Sequence, residues 1–192
     1  PGSLYFYGAG RWGSGIEIPA HDKDFYELKN VPHGNVCEQY YFSKITKKWR
    51  RCFVYTPPEY NENSSTRFPV LYLQHGSFED ETGWRNQGFA NLILDNLIAE
   101  NKAIPMIIVM DNGYAFEESQ NSDKKTLPKF VFEEILIQEI IPIIDSTYRT
   151  IADREHRAMA GLSMGANQTI RITMNNLEKF SDIILPYDAK IN

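Results

Sequence analysis

From Val36 to Tyr55 apolar and polar residues alternate. Val36, Tyr40 and Phe42 mark the first arm, Thr46-Lys47-Lys48 the turn, and Trp49, Arg51, Phe53 and Tyr55 stand against Arg50, Cys52 and Val54 on the second. Period two around a polar turn predicts a β-hairpin, and Pro57-Pro58 ends its pairing. Phe68 to Gln74 is a short apolar run between turn signals, the pattern of a strand buried on both faces. Phe89, Leu92, Ile93 and Leu97 recur at helical spacing and predict a helix over 88–101, after which Ile104 to Met110 is a second buried strand. Strand, helix, strand implies a right-handed crossover and a parallel sheet. Phe132, Ile135, Leu136, Ile140, Ile143 and Ile144 predict another helix, which Pro142 should kink or restart. Arg157 to Leu162 reads as a strand, 164–178 as its helix and Asp182 to Tyr187 as one more strand.

Two stretches lack either period. Residues 4–34 mix aromatics, glycines and prolines and read as an extended lead-in or linker, 1–34, packing aromatics on a body over 35–192. Residues 114–129 are polar and read as a loop at a strand end, where lids often lie. The fold class is therefore α/β, a mostly parallel sheet preceded by an antiparallel hairpin. In such sheets ligands bind at the carboxyl ends of the strands. Three ends carry chemistry, His75-Gly76-Ser77, Asp111-Asn112-Gly113 and Ser163, and they should share one rim.

Composition narrows the classes. A chain of 192 residues is the size of one domain, and a net charge of −5 without a basic block argues against a nucleic-acid surface. No apolar run approaches the ~20 residues that span a bilayer. No signal peptide opens the chain, and Pro1-Gly2-Ser3 reads as a scar of tag cleavage. Cys37 and Cys52 lack metal spacing and read as half-buried strand thiols. With no metal-ligand spacing and no phosphate loop, no cofactor is expected.

The chemical signal is Gly161-Leu162-Ser163-Met164-Gly165, a G-x-S-x-G pattern between a predicted strand and a predicted helix. It fits a nucleophile elbow, in which a serine sits on a sharp, strained turn and needs neighbours two residues away that lack a clashing side chain. Ser163 is the candidate nucleophile. The oxyanion donors would be the amides of Met164 and, in the loop after the 68–74 strand, Ser77. A base is harder to place. His156 precedes the nucleophile strand by about six residues at ~3.3 Å each, roughly 20 Å from Ser163 and at the wrong end of the sheet. His21 and His33 lie in the lead-in without an evident partner, and His75, with Gly76, is expected to support the oxyanion loop. Of the residues after Ser163 none is histidine, and Asp188 alone could be an acid by position.

These residues also carry a resemblance. Gly15-Ile16-Glu17-Ile18-Pro19, Val31-Pro32-His33-Gly34, Val54-Tyr55-Thr56-Pro57-Pro58, His75-Gly76 with Asp80-Glu81-Thr82-Gly83-Trp84, Asp95-Asn96-Leu97-Ile98 and Ala160 to Gly165 together resemble bacterial feruloyl esterases of the esterase D-like group in carbohydrate esterase family one. The resemblance runs from about Tyr5 to Ser181. It implies an α/β-hydrolase fold and a secreted or periplasmic Ser-His-Asp esterase acting on feruloylated arabinoxylan or small hydroxycinnamate esters. By matching motifs Ser163 carries over as nucleophile, Met164 as one oxyanion donor and the His75-Gly76-Ser77 loop as the other. Ala166 departs from the further glycine frequent in relatives. The family's acid and histidine have no counterpart here, so the fold is expected to be incomplete at its C-terminal end, the chain to have little activity, and the uncovered sheet edge to promote self-association. An acetylxylan or other acyl esterase, and a non-catalytic ligand-binding module, are the alternatives.

Overall fold

The structure, a computed structural model, describes residues 4–8, 11–15, 24–117 and 129–184. Among these residues the main sheet has six strands. A hairpin of β3 (Asn35–Ser43) and β4 (Lys48–Thr56) forms one side, followed across the sheet by β6 (Ile107–Asp111), β5 (Val70–Gln74), β7 (Arg157–Gly161) and β8 (Asp182–Ile184). β3, β4 and β6 pair antiparallel, and β6, β5, β7 and β8 pair parallel. The sheet is thus mixed, with the sequence-predicted hairpin at its edge.

Side-chain alternation sends each strand's residues into two cores. Val54, Val70, Tyr72, Ile107, Val109 and Met159 face a helical run of α3 (Phe132–Ile135), a π-helical turn (Leu136–Ile140) and α4 (Ile141–Thr147), together with Ile172 of α5 (Met164–Asn175). Phe53, Tyr55, Leu73, Ile108, Met110 and Ala160 face Trp84 of α1 (Gly83–Asn86) and Leu94 of α2 (Ala90–Ala99). Burial of both faces explains why these strands read as unbroken apolar runs. Near the hairpin turn the sheet overhangs its helices: Tyr40, Phe42 and Trp49 are exposed, while Tyr41 and Ser43 on the opposite face are buried.

Pro142 restarts its helix, as expected: it occupies the first turn of α4, where its missing N–H is harmless, and the π-helical turn just before it shifts the ladder, with the Ile141 amide donating to Leu136 O. Two other expectations change. The lead-in is not merely extended: β1 (Leu4–Gly8) and β2 (Arg11–Gly15) form a separate antiparallel hairpin, and β1 lies against α1. Cys37 is exposed and Cys52 buried, both as free thiols, rather than half-buried. The lead-in does bring an aromatic onto the body, Tyr26 stacking on Phe89 with ring centroids 5.5 Å apart. Most of the 114–129 loop, the last strand beyond Ile184, His21, Ile16 to Pro19 and Asp188 lie outside the described residues.

Candidate active site

Two glycines let the chain turn at Ser163. A Cβ on Gly161 would lie 2.4 Å from the Gly165 carbonyl carbon, and one on Gly165 would lie 2.6 Å from both the Gln74 and His75 carbonyl oxygens. The elbow is packed backbone against backbone. Leu162 N–H donates to Gln74 O (3.1 Å) and Gly165 N–H to Leu162 O (2.8 Å). Ser163 is forced to φ 53°, ψ −109°, a region costly for a residue with a Cβ, and its side chain is exposed. Its successor Met164 opens the twelve-residue α5, where first-turn amides have no partner within the helix and favour negative charge.

The loop after β5 stands beside the elbow. Trp84 Nε1 donates to Gln74 O at 2.8 Å, the carbonyl that also holds Leu162. Within the loop Gly76 N–H donates to Glu79 Oε2 (2.8 Å) and Phe78 N–H to Tyr114 Oη (2.8 Å), Phe78 taking a left-handed φ of 67°. Among the described residues nothing accepts from the Ser77 amide between them. Glu81 fixes the far side of the loop: its Oε1 receives Arg51 Nη2 at 2.6 Å and its Oε2 receives Asn112 Nδ2 at 2.9 Å.

His75 is 1% exposed and uses both ring nitrogens. Gly113 N–H can only donate, so Nε2, 3.0 Å away, is unprotonated. Gly76 O can only accept, so Nδ1, 2.8 Å away, carries the proton. The ring is neutral and fully engaged in bracing the loop. Gln168 of α5 donates through Nε2 to Gly113 O at 3.1 Å, and a Cβ on Gly113 would meet Gln168 Oε1 at 2.7 Å. Strand ends β5, β6 and β7 are thereby tied into one rim.

Beneath it lies a buried ionic group of which the sequence pattern singles out Asp111 but neither Arg50 nor Tyr41. Asp111 receives Arg50 Nη2 on Oδ1 (2.9 Å) and Tyr41 Oη on Oδ2 (2.9 Å), and Arg50 Nε donates to Tyr41 Oη (3.0 Å). Arg50 also donates to the carbonyls of Asn112 and Tyr114. Burial pushes the Asp111 carboxyl up, against the Arg50 charge and hydrogen bonds that pull it down. Burial also opposes the charge on Arg50, and the Asp111 carboxylate outweighs it, holding the guanidinium protonated.

His156 and His33 lie elsewhere. His156, just before β7, pairs with Asp153 at 2.7 Å at the amino ends of the strands. A cavity of about 220 Å³ sits there, lined by residues that include Pro69, Met106 and His156 but no Ser, Thr or Cys. His33 donates Nδ1–H to Asp95 (2.9 Å) and faces Lys29 O through Nε2 (3.0 Å), the partner that sequence alone did not supply. At the elbow a cavity of about 190 Å³ is bounded by Glu79, Gly83, Trp84, Gln87, Gly88 and Leu162. Among the described residues no three His, Cys, Asp or Glu side chains cluster as metal ligands would, and no described helix is long and apolar enough to cross a membrane.

Residues 43–185 match the family described as "Putative esterase". The chain belongs to this esterase family. A relative from Xylanibacter ruminicola, an endo-1,4-beta-xylanase/feruloyl esterase, is 46% identical over 184 residues, covering 94% of this esterase chain and 25% of its own length. A solved ferulic acid esterase superposes with TM-score 0.70 at 32% identity, over 80% of this chain and 59% of its own. Another, from the anaerobic fungi Anaeromyces mucronatus, gives TM-score 0.73 at 26% identity, over 88% of this chain and 65% of its own. The esterase chain thus has the α/β-hydrolase fold of feruloyl esterases and spans about a quarter of the curated relative's length and about three fifths of the solved ones.

Proposed function

We propose that this chain carries the acylation site of a serine feruloyl esterase. Ser163 Oγ attacks the ester carbonyl carbon of a hydroxycinnamoyl group while a base takes its proton. The oxyanion is held by the amides of Met164 and Ser77, the sugar alcohol leaves with a proton, and water then releases the acid. The observation that carries this reading is the strained Ser163 beside a loop in which the Ser77 amide, following the braced Gly76 carbonyl, has no acceptor among the described residues. The cavity beside Leu162 and Trp84 supports a flat aromatic acyl group. The xylanase/feruloyl esterase relative supports arabinoxylan as the carrier of the ester, and secretion toward such a polysaccharide goes with it.

The test is product analysis with the intact gene product on feruloylated arabinoxylan and on acetylated xylan. Ferulate release that disappears in Ser163→Ala is the expected outcome. Acetate release alone would replace the feruloyl reading by an acetylxylan esterase. Retention of the polysaccharide with neither acid released would make this a binding module.

A further inference from the structure

A line of hydrogen bonds runs from the buried guanidinium to the candidate oxyanion amide without a break in direction. Arg50 Nη2 donates to Asn112 O. The same peptide's N–H, on Gly113, donates to His75 Nε2 at 3.0 Å. His75 Nδ1–H donates to Gly76 O at 2.8 Å. The Gly76 carbonyl and the Ser77 N–H belong to one peptide unit, and no described peptide is cis, so planarity sets that N–H antiparallel to the C=O held by His75.

We propose that Arg50 and His75 are positioning residues for the oxyanion hole: a charge-headed relay, Arg50 to the 112–113 peptide to His75 to the 76–77 peptide, aims and polarises the Ser77 amide. The inference rests on the reading of Ser77 as an oxyanion donor. Two physical consequences follow from the chain of donors. Orientation is fixed because each rigid planar unit, peptide or imidazole, is pinned at its acceptor end, so the free amide cannot rotate away as negative charge develops. Polarisation follows because each unit that accepts a hydrogen bond becomes a better donor at its other end, and the head of the chain is a full positive charge in a poorly solvated place. Asp111 and Tyr41 hold that charge in position through three further hydrogen bonds. Gln168 fixes the next peptide, and Asn112 Oδ1 accepts the Tyr114 N–H at 2.9 Å, so the segment carrying the first peptide is held on both sides.

The relay is tested in the intact gene product. In ¹⁵N spectra the His75 ring should be neutral with the proton on Nδ1, and an Nε2–H or doubly protonated ring overturns the proposal. Removing Arg50 alone would strand Asp111, so the comparison is Asp111→Asn against Asp111→Asn with Arg50→Met. Loss of the charge should move the Ser77 amide proton upfield and lower kcat roughly tenfold, a fraction of a whole oxyanion donor's worth, with KM within about twofold. Arg50→Lys in the same background should restore much of kcat and covers the case in which the methionine variant does not fold. An unchanged Ser77 resonance and an unchanged kcat would overturn the relay. Ser77→Pro separates the two readings, since it deletes the amide outright and should lower kcat about 10²-fold or more. Full kcat in Ser77→Pro would refute the oxyanion assignment, while the Ser77 and His75 resonances would still decide whether the relay exists.

Discussion

Ser163 is held where a side chain is unwelcome, and the two glycines around it are held where no side chain fits. The first fact makes an unusual ranking of variants. At ordinary positions glycine is less stable than alanine by about 0.5–1 kcal/mol. At φ 53°, ψ −109° the order should invert, with Ser163→Gly more stable than Ser163→Ala by about 1–2 kcal/mol in urea unfolding, because only the alanine retains the strain. Alanine above glycine would mean that the elbow is relaxed. The second fact predicts loss: Gly165→Ala puts a methyl group 2.6 Å from two carbonyl oxygens and should lower stability by about 1–3 kcal/mol in the same assay. This part of the site was legible in the sequence because the need for glycine is local. His75 was legible only as far as its neighbours, since its second partner, Gly113, lies past the end of β6 and the Arg50 that heads the line lies on β4.

At the scale of elements, the lead-in is fastened to α2 by two adjacent residues of that helix. Asp95, 1% exposed, accepts from Tyr55 Oη (2.6 Å), Gly34 N–H (2.9 Å) and His33 Nδ1–H (2.9 Å). Asn96 Nδ2 donates to the carbonyls of Phe25 and Glu27. With Asp95 on one nitrogen and the Lys29 carbonyl on the other, His33 is held as the imidazolium. Its pKa is raised above the ordinary value, first by the hydrogen bond to Asp95, with partial burial opposing and Lys29 O assisting. A raised folded value means that the folded state binds the extra proton more tightly. The contribution is therefore complete below about pH 6.5, the unfolded value, and is lost as pH rises through the folded value. Melting temperature should fall across that window, and His33→Gln should remove this component of the fall. A melting temperature independent of pH in the parent would exclude the imidazolium. Asp95→Asn should cost about 2 kcal/mol at pH 6 because a charged acceptor of three donors is lost. The motifs at 31–34 and 95–98 were visible in the sequence as patterns, but their pairing across 62 residues was not, since side chains that meet only after folding leave no local period. The β1–β2 hairpin escaped notice because glycine and aromatic residues blur the alternation that marks a strand.

For the whole molecule the question is where a proton goes when Ser163 reacts. The sheet order β3-β4-β6-β5-β7-β8 gathers Ser163, the loop after β5 and the Arg50 group on one rim, and it leaves His156 at the other. The chain has four histidines. His75 has both nitrogens engaged, His33 is tied through its two ring nitrogens to Asp95 and the Lys29 carbonyl, and His156 is on the far side of the sheet, so none of these three is placed to accept the Ser163 proton. His21 lies outside the described residues. This 192-residue chain by itself should therefore hydrolyse methyl ferulate only at the level that binding and an oxyanion hole provide, about 10³–10⁴-fold over water where a triad is disabled. In that regime Ser163→Ala should change the rate little, because an unactivated hydroxyl contributes little, whereas Ser77→Pro should lower it further, because the oxyanion amides still act. A chain that turns over at ordinary esterase rates, and loses that rate in both Ser163→Ala and His21→Ala, would instead make His21 the base and bring the lead-in to the catalytic rim.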